Sequence, residues 1–521
     1  MSSSDHIAIG IACLGLGAVA YGLYSRRSRS GLPLPPGPKK LPLVGNVFDI
    51  PPTHPWETYM AWSKEYNTDI LHLDLAGTSL IVLSSAKIAE ALLEKRSSMY
   101  SDRPRLPMLF ELMGWDFNVA MMKYGNEWRA HRRLFNQGFT AKASLQYQPQ
   151  QLTATHELLR RFLHAPDDFM GHFRQWASEI IMSIAYGIDV LPSEDPYVSL
   201  AYEAVETLSY AGVPGRYLVD ALPILKYVPS WFPGAKFKRD AKEWKNLSQR
   251  LAAMPLEETK RQMERGIARP SFTADSLNAL KYLEDKNKYY TENTVRATAG
   301  TMYVGGADTT VSALGSFVLG MLANPAAQRR AQAEIDSVTL GKCLPDFADR
   351  DAMPYLDAIV KETLRWKNVG PMAIPHYVAV EDEYLGYRIP ANSIVIGNTW
   401  AILHDETVYP DPYAFKPERF LREDGTPNPE VPSPEPAFGY GRRLCPGRHM
   451  ANASLWITVA SVLATFDIAK ALDENGREIE PSYEFDSGFI NAPLPFKCSI
   501  QPRSQQAVDL IRAAGHAEGR A

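Results

Sequence analysis

Apolar positions along the chain fall into two periods and one unbroken run. The run comes first: residues 7–24 carry no charge, and Arg26, Arg27 and Arg29 follow. Its length is at the lower edge of what crosses a bilayer. A cleaved signal would want basic residues ahead of the apolar stretch. Here the positive charge lies after it, which predicts an uncleaved anchor with the bulk of the chain on the cytosolic side. The same stretch holds Gly15-Leu16-Gly17-Ala18-Val19-Ala20, a formal dinucleotide fingerprint. It lacks a preceding strand and a βαβ setting, and so carries no weight. Further on, residues 70–84 alternate around Gly77 and predict a hairpin. Helical periodicity predicts one long helix over 292–323, stopped by Asn324-Pro325, another over 353–367, and a buried one over 451–466.

The pattern is mainly α with small β-sheets, an α+β chain, and no repeat or composition break divides 43–503. The expected organisation is a short flank at 1–6, an anchor at 7–24, a basic and proline-rich hinge at 25–42, a single large domain at 43–505, and a polar, flexible tail at 506–521. Prolines as dense as those of Leu32-Pro33-Leu34-Pro35-Pro36-Gly37-Pro38 hold a connector extended.

Composition narrows the function. With 521 residues, 45% hydrophobic and 22% charged, the chain has ample material for a core. A net charge of −4 gives no reason to expect nucleic acid. The four cysteines, Cys13, Cys343, Cys445 and Cys498, form no CxxC or CxxCH pair, which leaves zinc ribbons and c-type haem attachment unsupported. So sparse a set suits a reducing compartment.

One cysteine stands apart. Cys445 lies in Phe438-Gly439-Tyr440-Gly441-Arg442-Arg443-Leu444-Cys445-Pro446-Gly447, just ahead of the predicted helix at 451–466. Pro446 suits the first turn of that helix, and the positive end of its dipole favours a thiolate. A purely structural cysteine needs neither the glycines nor the arginines. This segment matches Phe-x-x-Gly-x-Arg-x-Cys-x-Gly, and the chain resembles the cytochrome P-450 superfamily over nearly its whole length, in particular its fungal microsomal members. The resemblance implies a haem-thiolate monooxygenase domain with haem b bound through Cys445, Arg443 on a propionate, and Phe438 beside the macrocycle. Backbone N–H groups of Gly447 and Arg448 would tune the sulfur, and Gly441 and Gly447 would let backbone approach the porphyrin.

Three further groups acquire roles from the same resemblance. Gly305-Gly306-Ala307-Asp308-Thr309-Thr310 interrupts an apolar helix with an acid and a hydroxyl, an awkward arrangement for structure alone. The family reading makes Asp308 and Thr309 the groups that deliver protons during O–O cleavage. Glu362 and Arg365, at i,i+3, would join Arg419 of Pro417-Glu418-Arg419-Phe420 in a buried charged triad. Glu258-Thr259-Lys260-Arg261 repeats the ExxR spacing in a polar stretch and reads as a solvated pair. Trp128 and Arg132 fit a Trp-x-x-x-Arg helix, and His376 stands where many members carry arginine; all three are expected haem contacts.

The haem domain is expected to use up these 521 residues, with no flavin or nicotinamide domain among them. The resemblance therefore implies O2, and NADPH electrons arriving through a separate flavoprotein reductase or cytochrome b5. Lys123, Arg129, Arg133, Arg442 and Arg448 would form a basic patch that steers an acidic donor. The segments expected over the distal pocket are 106–117, Met302-Tyr303, 371–374 and 488–490; being apolar, they suit a hydrophobic small molecule, with secondary metabolism or xenobiotic oxidation as the setting. Aromatics in 227–237, including Trp231 and Phe232, suit a membrane surface. The expected location is the endoplasmic reticulum membrane. Two rival activities are a haem-thiolate isomerase or dehydratase, and a haem-binding sensor.

Overall fold

In the computed structural model, which describes residues 31–213, 215–282 and 289–518, the alternation at 70–84 forms the expected hairpin. Strands β1 (Ile70–Leu75) and β2 (Thr78–Leu83) pair antiparallel with Ile70 opposite Leu83. Ala76 and Gly77 join them at φ 50° and 95°, the positive φ values that two-residue hairpin loops require. Asp74 secures the turn by accepting from the Gly77 N–H at 2.7 Å.

Four shorter strands follow: β3 (His376–Val378), β4 (Asp382–Tyr384), β5 (Tyr387–Ile389) and β6 (Ser393–Gly397). The first sheet runs β1-β2-β6-β3, with β6 parallel to β2 and antiparallel to β3. Its two faces enter different cores. Ile70, Ile81, Leu83 and Val395 pack on one side, while Leu71, Leu73, Leu80 and Val82 pack on the other. Period two explains this partition. A small second pair, β7 (Phe466–Lys470) and β8 (Cys498–Pro502), lies near the C-terminus.

The largest core belongs to the helices. Those that frame the site are α1 (Asn126–Phe139), α2 (Phe169–Tyr186), α3 (Pro196–Ala211), α4 (Lys236–Glu264), α5 (Glu292–Ala307), α6 (Thr309–Ala323), α7 (Pro354–Trp366), α8 (Arg448–Thr465) and α9 (Gln505–Glu518). The single helix expected over 292–323 is in fact two. Asp308 leaves helical geometry at φ −122° and ψ −32°. Two glycines weaken this turn, and the Thr309 hydroxyl donates to the Gly305 carbonyl at 2.5 Å. A side chain that engages a carbonyl of the ladder competes with it and bends the helix. Beyond the break, α6 is buried on nearly every side, as befits a helix apolar all round.

The C-terminal segment corrects another expectation. Residues 506–521 read as a loose tail, yet α9 starts at Gln505 with Ala507 and Ile511 buried. The Ser504 hydroxyl caps it by accepting from the Ala507 N–H at 3.1 Å. Two small apolar contacts one helical turn apart suffice to dock an otherwise polar segment. The expected anchor at 7–24 lies outside the described residues.

Candidate active site

The Cys445 loop is built by backbone constraints. The Cys445 N–H donates to the Phe438 carbonyl at 2.8 Å, and the Arg443 and Leu444 N–H groups close the turn onto Tyr440 and Gly441 at 3.1 Å each. Gly441, at φ 53°, has no room for a side chain: a Cβ there would lie 2.2 Å from the Leu93 carbonyl oxygen. The close approach seen at Gly441 is thus to the backbone of the Leu93 segment. Tyr440 ties the loop to the segment that follows β6, its hydroxyl 2.9 Å from that of Thr399. Its ring lies so close to β6 that a Cβ on Gly397 would fall 2.5 Å from it.

Directly after the loop, α8 begins at Arg448. Burial pushes the Cys445 thiol above its ordinary value; the Gly447 N–H, the Arg132 and Arg448 cations and the Arg448 N–H all pull the other way. These groups favour the thiolate in an otherwise unfavourable place. The side chain is half-buried and helps line a cavity of about 340 Å³.

Gly305, Gly306, Thr309 and Thr310 line that cavity from the break between α5 and α6, and Phe438, Cys445 and Gly447 line it from the loop. Trp128, Arg132, Arg443 and His376 also border it, so the structure gathers these expected residues around one space. Asp308 is not among them. Its neighbours are Arg174 of α2 and Glu206 of α3, and burial holds its carboxyl above the usual value. At the non-helical break, Asp308 is directed toward α2 and α3 while Thr309 and Thr310 remain on the cavity side.

The cations show what the cavity is suited to hold. Arg443 donates to the carbonyls of Ser101 at 2.8 Å and Met122 at 2.7 Å, and its guanidinium lies 4.5 Å over the Trp128 ring. Arg132 makes no hydrogen bond or ion pair among the described residues, and burial lowers its pKa. A third cation, Arg103, was missed by the motif reading. It is 4% exposed, borders the cavity, and donates to the carbonyls of Ala120, Ile374 and Pro375 at 2.9, 2.6 and 2.7 Å. Burial lowers the pKa of Arg103, and Arg443 lowers it further; Asp102 offsets part of this. Among the described residues, the cavity wall contains no carboxylate. Partly compensated inward cations with a thiol opposite suit a group that bears two carboxylates and accepts sulfur, as haem does.

His376 departs from expectation. Its Nδ1 lies 2.7 Å from the Tyr100 carbonyl, which can only accept, so that nitrogen carries the proton. Burial, with Arg103 next, drives its pKa well down. The burial that disfavours a charged ring sets His376 apart from an arginine at the same place, while its side chain still borders the cavity.

Behind the loop, the two ExxR pairs separate as expected. Glu362 and Arg365 are wholly buried, joined at 2.7 and 2.8 Å, and Arg419 completes the group at 3.2 Å from Glu362. The Lys416 N–H donates to the same carboxylate at 2.8 Å, and Arg365 reaches the Leu403 and Ala414 carbonyls at 3.0 and 3.3 Å. Since α7 packs on α8, this closed cluster braces the helix that starts at the cysteine loop. Glu258 and Arg261 pair at 2.7 Å on the surface of α4.

Comparison with known proteins decides the family. The cytochrome P450 family model matches residues 35–500. Cytochrome P450 monooxygenase 98 of Postia placenta is 45% identical over 96% of both chains. Tryptamine 4-monooxygenase of Psilocybe cyanescens is 43% identical over 93% of this chain and 95% of its own. The chain belongs to the cytochrome P450 family. A third relative, cytochrome P450 monooxygenase ple1 of Rhodocybe pseudopiperita, is 42% identical over 96% of this chain and 95% of its own. The protein is thus a P450 monooxygenase, which implies cysteine-ligated haem, O2, a redox partner and a small-molecule substrate.

Within this P450, the expected substrate segments divide. Met302, Ile374, Phe489 and Ile490 border the main cavity with Ile180 and Ile181, whereas Leu106, Leu109 and Phe110 border a smaller neighbouring pocket. Tyr303 borders neither, its hydroxyl donating to the Tyr197 carbonyl at 2.6 Å. On the thiolate side, Arg132, Arg442, Arg448 and His449 rim a concavity of about 480 Å³. Tyr124 draws Arg129 and Arg442 together, their guanidinium carbons 4.7 and 5.6 Å from its ring centre. Lys123 and Arg133 are also exposed.

Proposed function

We propose that this P450 monooxygenase oxidises a hydrophobic organic molecule, with electrons from an NADPH-dependent flavoprotein reductase or cytochrome b5, at the endoplasmic reticulum membrane. The observation that carries the reading is the composition of the cavity: apolar walls from α2, α5 and residues 489–490, with Cys445 and Thr309 exposed to the same space. Apolar pockets with few polar groups select apolar ligands. Secondary metabolism or xenobiotic oxidation is the setting we favour.

Cys445 would hold the haem iron, and Arg132, Arg443 and Arg103 its propionates, with Trp128 and Phe438 beside the ring. When bound, haem with a thiolate ligand supplies O2 activation and O–O cleavage. The chain's own groups do the rest. The Gly447 and Arg448 N–H groups offset part of the burial that disfavours a thiolate at this sulfur. Thr309 keeps a hydroxyl proton at the edge of the cavity, on the Gly305 carbonyl. Asp308, on the side of Arg174 and Glu206, replaces that proton from outside the cavity. Ile180, Ile181 and Met302 exclude water around the substrate.

The basic rim of Arg442 and Arg448, with Lys123, Arg129 and Arg133, favours an acidic electron donor. Tyr227, Trp231 and Phe232 are 73, 78 and 50% exposed, and large exposed aromatics suit the membrane interface. With residues 7–24 as anchor, they would bring the domain onto the bilayer.

The test is the CO difference spectrum of reduced, membrane-expressed protein, followed by reductase-dependent NADPH consumption with and without O2. A strongly red-shifted Soret band and O2-dependent consumption are expected. Turnover without O2 or reductase would instead indicate an isomerase or dehydratase, and haem binding without turnover a sensor.

A further inference from the structure

Among the described residues, the haem cavity offers a positively charged substrate no carboxylate, and its wall carries arginines. The pocket beside it differs. Leu106, Leu109, Phe110 and Val213 line this pocket, and it shares Arg103, Ile374 and Phe489 with the main cavity. A ligand extending from one space into the other would pass these shared residues. The pocket contains one carboxylate, Asp220.

Only half of that carboxylate is engaged. One oxygen accepts from the Met108 N–H at 2.9 Å, and the other has no hydrogen bond among the described residues. No ion pair or hydrogen bond joins Arg103 to it among the described residues; the donors of Arg103 go to the Ala120, Ile374 and Pro375 carbonyls. Glu111, also nearby, is already paired with Arg105 at 2.7 Å and Lys226 at 2.5 Å. An apolar pocket with a single half-satisfied carboxylate has the makeup of a site for an organic cation.

We propose that Asp220 is a specificity residue that seats the cationic nitrogen of a lipophilic amine or guanidine, while the apolar body of that molecule extends toward Thr309. The inference rests on the reading that the cavity accepts hydrophobic substrates, and supplies their charge. The state of Asp220 fits this role. Burial raises its carboxyl to about 6, Glu111 adds to the rise, and the Met108 N–H opposes it. The opposite charge of a bound cation would favour the ionised carboxylate and so offset the effect of burial.

Two probes of nearly equal shape separate charge from apolar contact: 4-phenylbutylguanidinium, charged at all working pH values and unable to ligate iron, and neutral 4-phenylbutylurea. Binding to the holoprotein is measured by calorimetry. The guanidinium should bind about ten- to a hundredfold tighter than the urea, the range of a charge-assisted hydrogen bond. Asp220→Asn keeps an oxygen for the Met108 N–H. It should retain the CO spectrum and urea affinity and lose the preference.

A preference that survives in Asp220→Asn, or wild type that binds both probes equally, overturns the assignment of Asp220 alone. Failure of both probes to bind wild type overturns the hydrophobic-pocket reading beneath it. Should the variant not fold, wild type decides: guanidinium affinity should fall several-fold as pH drops through about 6 while urea affinity stays constant. Arg103, Arg105 and Lys226 keep their charge over that range, and Glu111 is held down to about 2 by Arg105 and Lys226. A flat profile overturns the proposal.

Discussion

Arg365 and Arg132 are both turned into the protein, and their electrostatic surroundings are opposite. Arg365 is fully buried within a closed group: one carboxylate serves it and Arg419, and backbone carbonyls occupy remaining donors. Arg132 faces the cavity with no hydrogen-bonding partner among the described residues, beside Arg443, which is served mainly by carbonyls. The same residue type is structural where the protein supplies the anion and ligand-directed where it does not. Helical spacing is equally common in both settings; satisfaction of the charge distinguishes them.

The largest effect should come from opening the closed group. Glu362→Ala leaves Arg365 and Arg419 without their carboxylate, a loss of about 3–5 kcal/mol for a broken buried pair. Chemical denaturation should show it, and the reduced protein should show no red-shifted CO band. Normal holoprotein would mean that the closed cluster is not what braces the cysteine loop.

Removing a ligand-directed cation should have a smaller effect of another kind. Arg132→Leu takes away a buried charge that lacks a protein partner, so the apoprotein should keep or gain stability. Haem transfer to a scavenger should accelerate about ten- to a hundredfold, the equivalent of one charge-assisted bond. A destabilised apoprotein with unchanged haem release would erase the contrast with Arg365.

Thr309→Ala should leave stability and haem content nearly intact and act on chemistry. It removes the hydroxyl on the Gly305 carbonyl; the fraction of NADPH recovered as product should fall, with peroxide appearing instead. Unchanged coupling would mean that another group donates the proton. Smallest of all, Arg261→Ala in the exposed ExxR pair should shift stability by less than about 1 kcal/mol, measurable as an almost unmoved melting temperature.

The residues that local chemistry marks were legible from sequence: the glycines and cysteine of the loop, the hairpin around Gly77, and the ExxR pair whose helix is amphipathic. Other features depend on contacts between distant segments. Arg103 has no motif around it and becomes a cavity residue only because residues 374 and 375 supply its acceptors. Asp308 and Thr309 look like one unit in the sequence, but the non-helical break sends them to different neighbours. His376 was expected to replace an arginine, and only the Tyr100 carbonyl reveals which of its nitrogens is protonated.

The break at Asp308 also changes the mechanics of the molecule. An unbroken 32-residue rod would transmit a tilt at one end directly to the other. The interruption instead divides it into two levers that share α2 as a support: α5 also rests on α1, α3 and α4, around the ligand space, and α6 also rests on α7 and α8, next to the cysteine loop. A joint of one residue at Asp308 thus separates the part of this chain segment that faces the ligand space from the part that packs toward the sulfur-bearing loop.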